Sequence, residues 1–473
     1  MKSLLTIKNE ILQNGRIISV LSLSMFYGWL MSLPFEGKVF YAIAERQCTH
    51  SEIYDLLQLA LLFQFIGLLL CGLFIKNSKT AKKVTFIFTA FCILGSFVFF
   101  IPYSLLWHIS IAIVSMCGGF IVGGWGVWLQ SEVSQIKRVY MVADVLIYSN
   151  IFVILSNVVA VNLSPNLGFA FCIIFLLISM MFTFHLPEET FEEDLSKEKT
   201  TVKPTKLIYT LYLFMAIITI NSGLMFTVIC GAFKDIDQIA SWYWPLPYVL
   251  TLIIVKKLPR KTNRYALLTV AIAMSGVSFI LFAILNHSLE SYIIINTLML
   301  GSLGIFDLFG WSTLGKILDY VENPAKIFGI GLSANILGIM FGRFIAERII
   351  GIGNYNFVTT IIAAFVVFAS IGILPMLYKQ LTVVFEEHTE SLKLEKSIGV
   401  LLTESQDEFL SLHEITDREK EIIVKVLQGK TYKSISEELF LSINTVKFHV
   451  KNIYSKLEVH NRSALINILE QKK

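Results

Sequence analysis

The sequence has 473 residues, of which 55% are hydrophobic and only 16% are charged, with a formal net charge of +4. Soluble domains average about 25% charged residues, so this composition excludes an ordinary soluble protein and indicates an integral membrane protein. After about Gln380 the composition changes to that of a soluble domain. The chain is therefore predicted to consist of a large apolar part and a small polar part.

The beginning of the chain carries Lys2, Lys8 and Arg16 ahead of or within an apolar run. No small-residue cleavage site follows a short apolar core, so the sequence predicts a cytoplasmic flank and a first membrane span in place of a removable signal peptide. The six cysteines are scattered and include no C-x-x-C pair. This spacing predicts packing residues, with neither a metal site nor a disulfide framework.

Twelve stretches are apolar enough to cross a bilayer, which takes about 20 residues per helix. They form two groups of six, separated by the charged segment PEETFEEDLSKEKTTVKPTK at 187–206. This arrangement predicts an N-terminal six-span half at 1–186, a central loop, and a C-terminal six-span half at 207–379. The predicted spans are 17–36, 54–75, 84–101, 106–129, 141–162, 167–186, 207–231, 239–256, 265–285, 290–314, 327–349 and 356–378.

The orientation of the spans follows from the distribution of lysine and arginine. These residues concentrate in the loops that lie on the same side of the membrane as the N-terminus, such as IKNSKTAKK after the second span and VKKLPRKTNR after the eighth. Loops rich in lysine and arginine stay in the cytoplasm. Because the number of spans is even, both termini are predicted to be cytoplasmic, in a multi-pass protein of the cytoplasmic membrane.

The two halves show signs of an internal repeat. The stretch GGFIVGGW at Gly118–Trp125 aligns with GIFDLFGW at Gly304–Trp311, and both fall in the fourth span of their half. The basic loops after the second and eighth spans occupy equivalent positions as well. A six-plus-six duplication of this kind is common among transporters.

These features together resemble the major facilitator superfamily over residues 15–380. The resemblance implies an all-α fold, a polytopic bundle of twelve helices arranged six plus six. The loop signature of that superfamily, G-x-x-x-D-[RK]-x-G-[RK]-[RK], is incomplete here. Gly72 is followed by LFIKNSKTAKK, which lacks the acidic residue and the second glycine. This departure argues against active transport.

Ionisable residues inside membrane spans are costly and are often functional or paired. Asp307 lies in the tenth predicted span and Arg343 in the eleventh. One interpretation is a structural ion pair or polar contact, and the other is a central cavity that binds a small-molecule ligand. For the candidates Trp125, Trp311 and Asn221, the simpler alternative to ligand binding is that their side chains only pack in the interior. The candidate ligand-binding residues are Asp307, Arg343, Trp125, Trp311 and Asn221.

The polar part begins with a linker at 380–407, part of which is predicted to be helical, and continues with a domain at 408–473. Thr416 with Glu419 forms the pattern of a capping box for a first helix, which Gly429 would end. Local signals place Thr431, Ser442 and Asn461 at the starts of three further helices. The sequence therefore predicts a small four-helix domain.

The third of these helices has two distinct faces. Val446, Val450, Ile453 and Leu457 recur at spacings of four, three and four residues, which predicts one buried stripe. A second face carries two lysines. A tight turn around Leu441 separates this helix from the second, which is the arrangement of a helix-turn-helix.

This domain closely resembles the LuxR-type DNA-binding domain over residues 408–473, in the stretches TDREKEII, GKTYKSISEEL, LSINTVKFHVKNIYSKL and NRSALI. The resemblance implies double-stranded DNA as partner and a homodimer on DNA. It implies that Lys447, Phe448 and Lys451 face bases and that Asn444, Thr445 and Lys433 lie at or near phosphates. It also implies a dimer contact on the fourth helix, with Leu465, Ile468 and Leu469 as candidates. From Thr403 onward acidic and basic residues are equal in number, so the positive surface must be local.

No H-E-x-x-H, G-x-S-x-G or P-loop motif occurs, and the sequence predicts no enzyme and no cofactor. The leading hypothesis is a one-component regulator in the lipid bilayer, whose transporter-like part senses an unknown small-molecule ligand. One alternative is a major-facilitator-type transporter whose tail regulates its own gene. Another is a passive membrane anchor for the DNA-binding domain.

Overall fold

The computed structural model describes residues 14–35, 37–188, 204–233, 236–258, 262, 264–351, 353–401, 404–427, 430, 432–439 and 441–470. All regular elements in these ranges are helices, which confirms the predicted all-α class. The chain divides into two compact units, Met1–Gln380 and Leu381–Lys473. Most of the predicted central loop lies outside the described residues.

The first unit contains twelve helices, within the described ranges, that are long and apolar enough to cross a membrane. Each of the twelve predicted spans coincides with one of these helices. The first is longer than predicted, because a π-helical turn at Met31–Phe35 is followed by a further helix, Lys38–Ala44. The helix that contains the last span continues to Leu401 with Pro375 in its interior. The spans are α1 (Gly15–Ala44), α2 (His50–Phe74), α3 (Ser78–Phe100), α4 (Leu105–Ser131), α5 (Gln135–Asn162), α6 (Pro165–Phe184), α7 (Thr205–Ala232), α8 (Ile239–Lys257), α9 (Arg264–Ile284), α10 (Leu289–Tyr320), α11 (Pro324–Ile350) and α12 (Tyr355–Val384).

Several of these helices begin at a side-chain cap. Thr49 forms a complete capping box with Glu52 at the start of α2. Asn77 caps α3, and Asn323 caps α11, where Pro324 occupies the first helical position. Each cap gives a hydrogen-bond acceptor to a backbone N–H that the helix itself cannot satisfy. These polar starts therefore mark where the chain re-enters the apolar region.

Packing within the first unit repeats between its two halves. Helix α1 packs on α5 as α7 packs on α11, and α2 packs on α4 as α8 packs on α10. The pairs α3 with α4 and α9 with α10 correspond in the same way. Between the halves, α2 contacts α11 and α5 contacts α8, which are symmetry-related pairs. The packing thus confirms the predicted six-plus-six arrangement.

The crossing of α2 and α4 depends on glycine. A Cβ added at Gly67 would lie 2.2 Å from the backbone oxygen of Met116, and one added at Gly119 would lie 2.5 Å from that of Gln64. The two backbones therefore touch, as small residues allow at helix crossings in membranes. Gly119 serves packing, and no ligand role is needed to explain it.

The two halves are also joined by polar contacts at the helix ends that border the basic loops. Arg138 is 2% exposed and donates hydrogen bonds to the backbone oxygens of Gly315 (2.7 Å) and Gln130 (3.0 Å) and to the carboxylate of Asp319 (2.6 Å). The side chain of Gln130 donates to the backbone oxygen of Leu318 at 2.6 Å. We name the contacts of Arg138, Gln130 and Asp319 the basic-side latch.

A second ion-pair cluster lies on the same side. The carboxylate of Asp144 in α5 contacts both Arg16 of α1 and Lys256 of α8. One acidic residue therefore connects helices from both halves. Together with the basic-side latch, it holds the halves together beside the basic loops.

The second unit folds around its own apolar core. Its helices are α13 (Glu404–Leu412), α14 (Asp417–Leu427), α15 (Tyr432–Glu438), α16 (Ile443–Lys456) and α17 (Arg462–Glu470). The last four are those predicted from sequence, and α13 precedes them. The capping box of Thr416 and Glu419 and the caps at Ser442 and Asn461 are present. Gly429 and Thr431 lie outside the described residues.

The core of the second unit offers a direct test on one helix. Ile453 is 1% exposed and Ile443 is 40% exposed, although both belong to α16. We expect Ile453→Ala to lower the free energy of unfolding of fragment 404–473 by about 3 kcal/mol, because truncation leaves a cavity in a packed core. Ile443→Ala is the matched control, with an expected loss below about 1 kcal/mol. Urea unfolding followed by circular dichroism measures both, and equal losses would contradict the assigned core.

Candidate nucleic-acid interface

Helix α16 begins at a well-defined cap. The side chain of Ser442 accepts a hydrogen bond from the backbone N–H of Thr445 at 3.0 Å. Just before it, the N–H of Leu441 donates to the backbone oxygen of Ser436 at 2.9 Å, which closes the turn after α15. The cap and the turn together set the direction in which α16 leaves α15.

The predicted stripe of α16 is confirmed as buried. Val446, Val450, Ile453 and Leu457 are all less than 5% exposed and belong to one core cluster. Because these positions occupy one side of the helix, the opposite side is left for a partner. The exposed residues on that side include Asn444, Lys447, Phe448 and Lys451. Phe448 is 61% exposed, which is unusual for so large an apolar side chain.

Most of the other described lysines and arginines of this unit already have partners. Lys425 and Lys430 both contact Glu438, and these contacts lower the pKa of Glu438 to about 2. Arg462 donates hydrogen bonds to the backbone oxygens of Val426 and Lys430. These basic groups therefore contribute little positive potential to the surface.

Lys447 and Lys451 differ from them. Among the described residues neither lysine has a salt-bridge partner. They are four residues apart on one face of α16, so their charges reinforce each other. A unit with equal numbers of acidic and basic residues therefore still presents a local positive patch, and that patch is the exposed face of α16.

The C-terminal end of α16 is fixed by a buried carboxylate. Glu419 is 3% exposed, and its carboxylate accepts hydrogen bonds from Lys456 at 2.7 Å and from the backbone N–H of Thr416 at 2.9 Å. Burial raises the pKa of Glu419, but the hydrogen bonds from Lys456 and Thr416 outweigh burial and place the pKa below its usual value. Lys456 also donates to the backbone oxygen of Glu414. Glu419 thus ties the start of α14 to the end of α16.

In the membrane unit, Asp307 lies in the middle of α10. Its carboxylate accepts hydrogen bonds from the hydroxyl of Tyr248 at 2.9 Å and from the amide of Asn335 at 3.5 Å. Trp311 follows one turn later, and its ring lies 6.4 Å from that of Trp125 and 5.6 Å from that of Tyr27. The structure therefore brings together three of the five predicted ligand-binding residues, Asp307, Trp125 and Trp311.

Arg343 does not form the structural pair with Asp307 that one interpretation of the sequence predicted. Arg343 is buried, with its guanidinium 5.7 Å from the ring centre of Tyr54 in α2. It lies seven residues from the end of α11, about 10 Å along the axis, whereas Asp307 lies about 27 Å from the equivalent end of α10. This difference in depth separates the two charges. Asn221 is also buried, in α7.

The second unit is similar in sequence to a known protein family. The family described as "Bacterial regulatory proteins, luxR family" matches residues 413–469. The transcriptional regulatory protein LiaR of Bacillus subtilis is 47% identical over 62 residues, which cover 13% of this chain and 29% of LiaR. The spore germination protein GerE of Bacillus subtilis is 42% identical over 65 residues, which cover 14% of this chain and 88% of GerE.

This chain belongs to the luxR family.

The luxR domain accounts for the second unit alone. The chain spans 29% and 34% of the length of the first two curated relatives that it matches, LiaR and a nitrate/nitrite response regulator homolog of Haemophilus influenzae. GerE, by contrast, consists of little more than the matched region. The luxR domain therefore occurs nearly alone in one protein and joined to other parts in the rest.

The membrane unit is similar to solved transporters in fold. The human organic anion transporter MFSD10 superposes with a TM-score of 0.59 at 13% identity, covering 76% of this chain and 99% of the transporter. A bacterial homologue of the iron transporter ferroportin, in an outward-facing state, superposes with a TM-score of 0.60 at 13% identity, covering 78% and 99%. At this identity the likeness shows the fold alone, and it confirms the predicted fold, a bundle of twelve helices arranged six plus six.

The luxR domain is a DNA-binding domain, and its predicted contact residues can now be placed. Asn444, Lys447, Phe448 and Lys451 are exposed on α16, so their predicted contacts with bases and phosphates stay a prediction that their exposure allows. Thr445 is half-buried, and its hydroxyl lies 2.8 Å from that of Ser442, so it belongs to the cap of α16. The side chain of Lys433 lies outside the described residues.

The predicted dimer contact needs a correction. Leu465 and Leu469 are 1% and 0% exposed and pack in the core of the luxR domain. Their spacing of four residues marks the buried face of α17, so they cannot form a surface with a second copy. Ile468 is partly buried at the edge of the core and remains the one predicted residue of the three that a partner could reach.

Proposed function

We propose that this protein is a membrane-embedded one-component transcriptional regulator. The observation that carries this proposal is the joining, in one chain, of a luxR domain to a twelve-span unit with a transporter fold. The match to LiaR covers only 29% of the length of that regulator. In this chain the luxR domain is joined to the membrane unit, which receives the signal that the luxR domain answers.

In this proposal the membrane unit binds a small molecule and thereby changes DNA binding by the luxR domain. Such a ligand must bind two conformations of the membrane unit with different affinity, because equal affinity shifts no equilibrium. The near-neutral luxR domain has a small positive face, so specific binding uses two copies on two half-sites about one helical turn apart. The ligand therefore acts on the pairing or availability of the luxR domains.

The proposal is tested by exchanging the membrane unit. Expression from the regulated promoter is compared between the full chain and a fusion of residues 381–473 to one unrelated membrane span, at matched protein level. We expect the fusion to lose the response to growth conditions, because the span keeps the domain at the membrane without binding a ligand. A fusion that regulates as the full chain does would show that the membrane unit is a passive anchor.

The proposal also requires the luxR domain to lie in the cytoplasm. Helix ends beside the basic loops carry Arg138, Lys256 and Lys316, which the positive-inside rule assigns to the cytoplasmic face of the cell membrane. We expect a protease tag placed after Lys473 to resist cleavage in intact spheroplasts and to be cleaved after permeabilisation. Cleavage from the outside of intact cells would refute the regulatory function.

The transporter fold supports a second candidate, a transporter whose luxR domain regulates its own gene. Uptake of a labelled solute into vesicles, abolished by Asp307→Asn and by Arg343→Gln, would support it. The incomplete loop signature after Gly72 argues against it. Sensing requires only a binding site and two conformations of the membrane unit. Transport requires in addition that both conformations can release the solute.

A further inference from the structure

Asp307 carries a carboxylate deep in the described interior of the membrane unit. It lies 13 residues from the nearer end of α10, about 20 Å along the helix axis, and is therefore far from either membrane surface. Its hydrogen-bond donors, Tyr248 and Asn335, are both neutral. Among the described residues no lysine, arginine or histidine lies within ion-pair distance of it.

An ionised carboxylate at this depth without a cation costs several kcal/mol. Two buried charges of the same unit do not face this cost, because Arg138 contacts Asp319, and Asp144 contacts Arg16 and Lys256. Asp307 is moreover half-buried, as are Tyr27 and Asn335, so these side chains border an internal space. The two neutral donors leave the charge of the carboxylate unbalanced.

An aromatic cluster packs beside this space, and Tyr27 is its half-buried member. Trp311 is one helical turn from Asp307, and its ring lies 5.6 Å from that of Tyr27 and 5.5 Å from that of Phe328. Trp125 lies 6.0 Å from Phe328. The phenols of Tyr27 and Tyr248 are both close enough to interact electrostatically with Asp307. Ring faces carry negative potential and attract cations, tryptophan most strongly.

We propose that Asp307 and Tyr27 form a binding site for an organic monocation, with Asp307 as the counter-ion and the ring of Tyr27 as an aromatic wall that the buried rings of Trp125 and Trp311 support from behind. Tyr27 and Trp125 come from the N-terminal half, and Asp307 and Trp311 come from the C-terminal half. A bound cation is therefore held by both halves, and its affinity depends on how they are arranged. The inference rests on the proposed function, for which it names the class of ligand.

The test uses the purified full-length protein and tetraphenylphosphonium as a labelled probe. We expect saturable binding that Asp307→Asn weakens at least about tenfold, because the variant keeps the shape and removes the charge. Glu290→Gln is the matched control, since Glu290 is exposed at the start of the same helix. Tetraphenylborate, which has the same shape and the opposite charge, is expected not to compete. Absence of saturable binding, unchanged binding by the Asp307→Asn variant, or equal competition by tetraphenylborate would overturn the site.

A measurement on the unmodified chain covers the case in which the Asp307→Asn variant does not fold. Dicyclohexylcarbodiimide labels carboxyl groups inside membranes, and mass spectrometry counts the label on Asp307. We expect tetraphenylphosphonium to protect Asp307 at least about threefold, and equal labelling with and without it would overturn the site.

Promoter activity separates the two proposals. Cation binding through Asp307 without any change in expression refutes sensing, and a ligand response that Asp307→Asn leaves intact refutes this site.

Discussion

Replacing Lys447 and Lys451 together by alanine is expected to reduce binding of the luxR domain to its target site by at least about 30-fold. Both lysines are exposed on α16 and have no salt-bridge partner among the described residues. A good contact to a base edge contributes about 1–3 kcal/mol of discrimination, and two such contacts are lost. Binding to random duplex changes much less, because the backbone contacts that carry it remain.

The measurement uses fragment 404–473, whose counterpart in GerE makes up most of a protein. The target site is first selected from random duplexes, and fluorescence anisotropy then gives both affinities at one fixed salt concentration. Lys420→Ala is the control, because it removes one positive charge from α14. A double variant that retains the preference of the wild-type fragment for the selected site would show that α16 is not the reading helix.

Glu419→Gln is expected to lower the free energy of unfolding of the same fragment by about 2 kcal/mol at pH 7. The carboxylate is buried and accepts charge-assisted hydrogen bonds that an amide oxygen accepts more weakly. The amide also leaves Lys456 without its counter-charge. Glu421→Gln is the matched control: Glu421 contacts Arg418 with both side chains partly exposed, so the loss is expected below about 1 kcal/mol.

The contribution of Glu419 to the free energy of unfolding is expected to depend on pH. The pKa of Glu419 is lowered by folding, so its contribution is fully present above the unfolded value of about 4.3. It is lost as the pH falls through the lower pKa of the folded state. The difference between wild type and the Glu419→Gln variant should therefore be largest at pH 7 and shrink below about pH 4. A difference that is constant from pH 7 to pH 3 would show that the charge of Glu419 is not the cause.

Local patterns were enough to predict much of the fold. Each span needs about 20 apolar residues in a row, and such runs are visible without knowing their neighbours. The caps at Thr416, Ser442 and Asn461 depend on contacts within one turn, so the sequence predicted them correctly. The exposed face of α16 followed from the spacing of Val446 and its buried companions.

Contacts between distant helices could not be predicted in the same way. Tyr248 and Asn335 are the partners of Asp307, yet they lie on α8 and α11, and no local pattern links three helices. Leu465 and Leu469 were predicted to meet a second copy. A stripe of leucines has the same period whether it faces the core of its own domain or a partner, so periodicity could not decide.

The basic-side latch affects how often the two halves of the membrane unit rearrange in the absence of ligand. Separating the two halves there breaks the contacts of Arg138 with Gly315 and Asp319 and that of Gln130 with Leu318 in one event. At about 0.5–1.5 kcal/mol for each neutral hydrogen bond and about 1.5–3 kcal/mol for each charged one, the rearranged form is rare without help. In the proposed regulator, spontaneous switching should therefore be infrequent, and expression of the regulated genes is expected to change little in the absence of ligand.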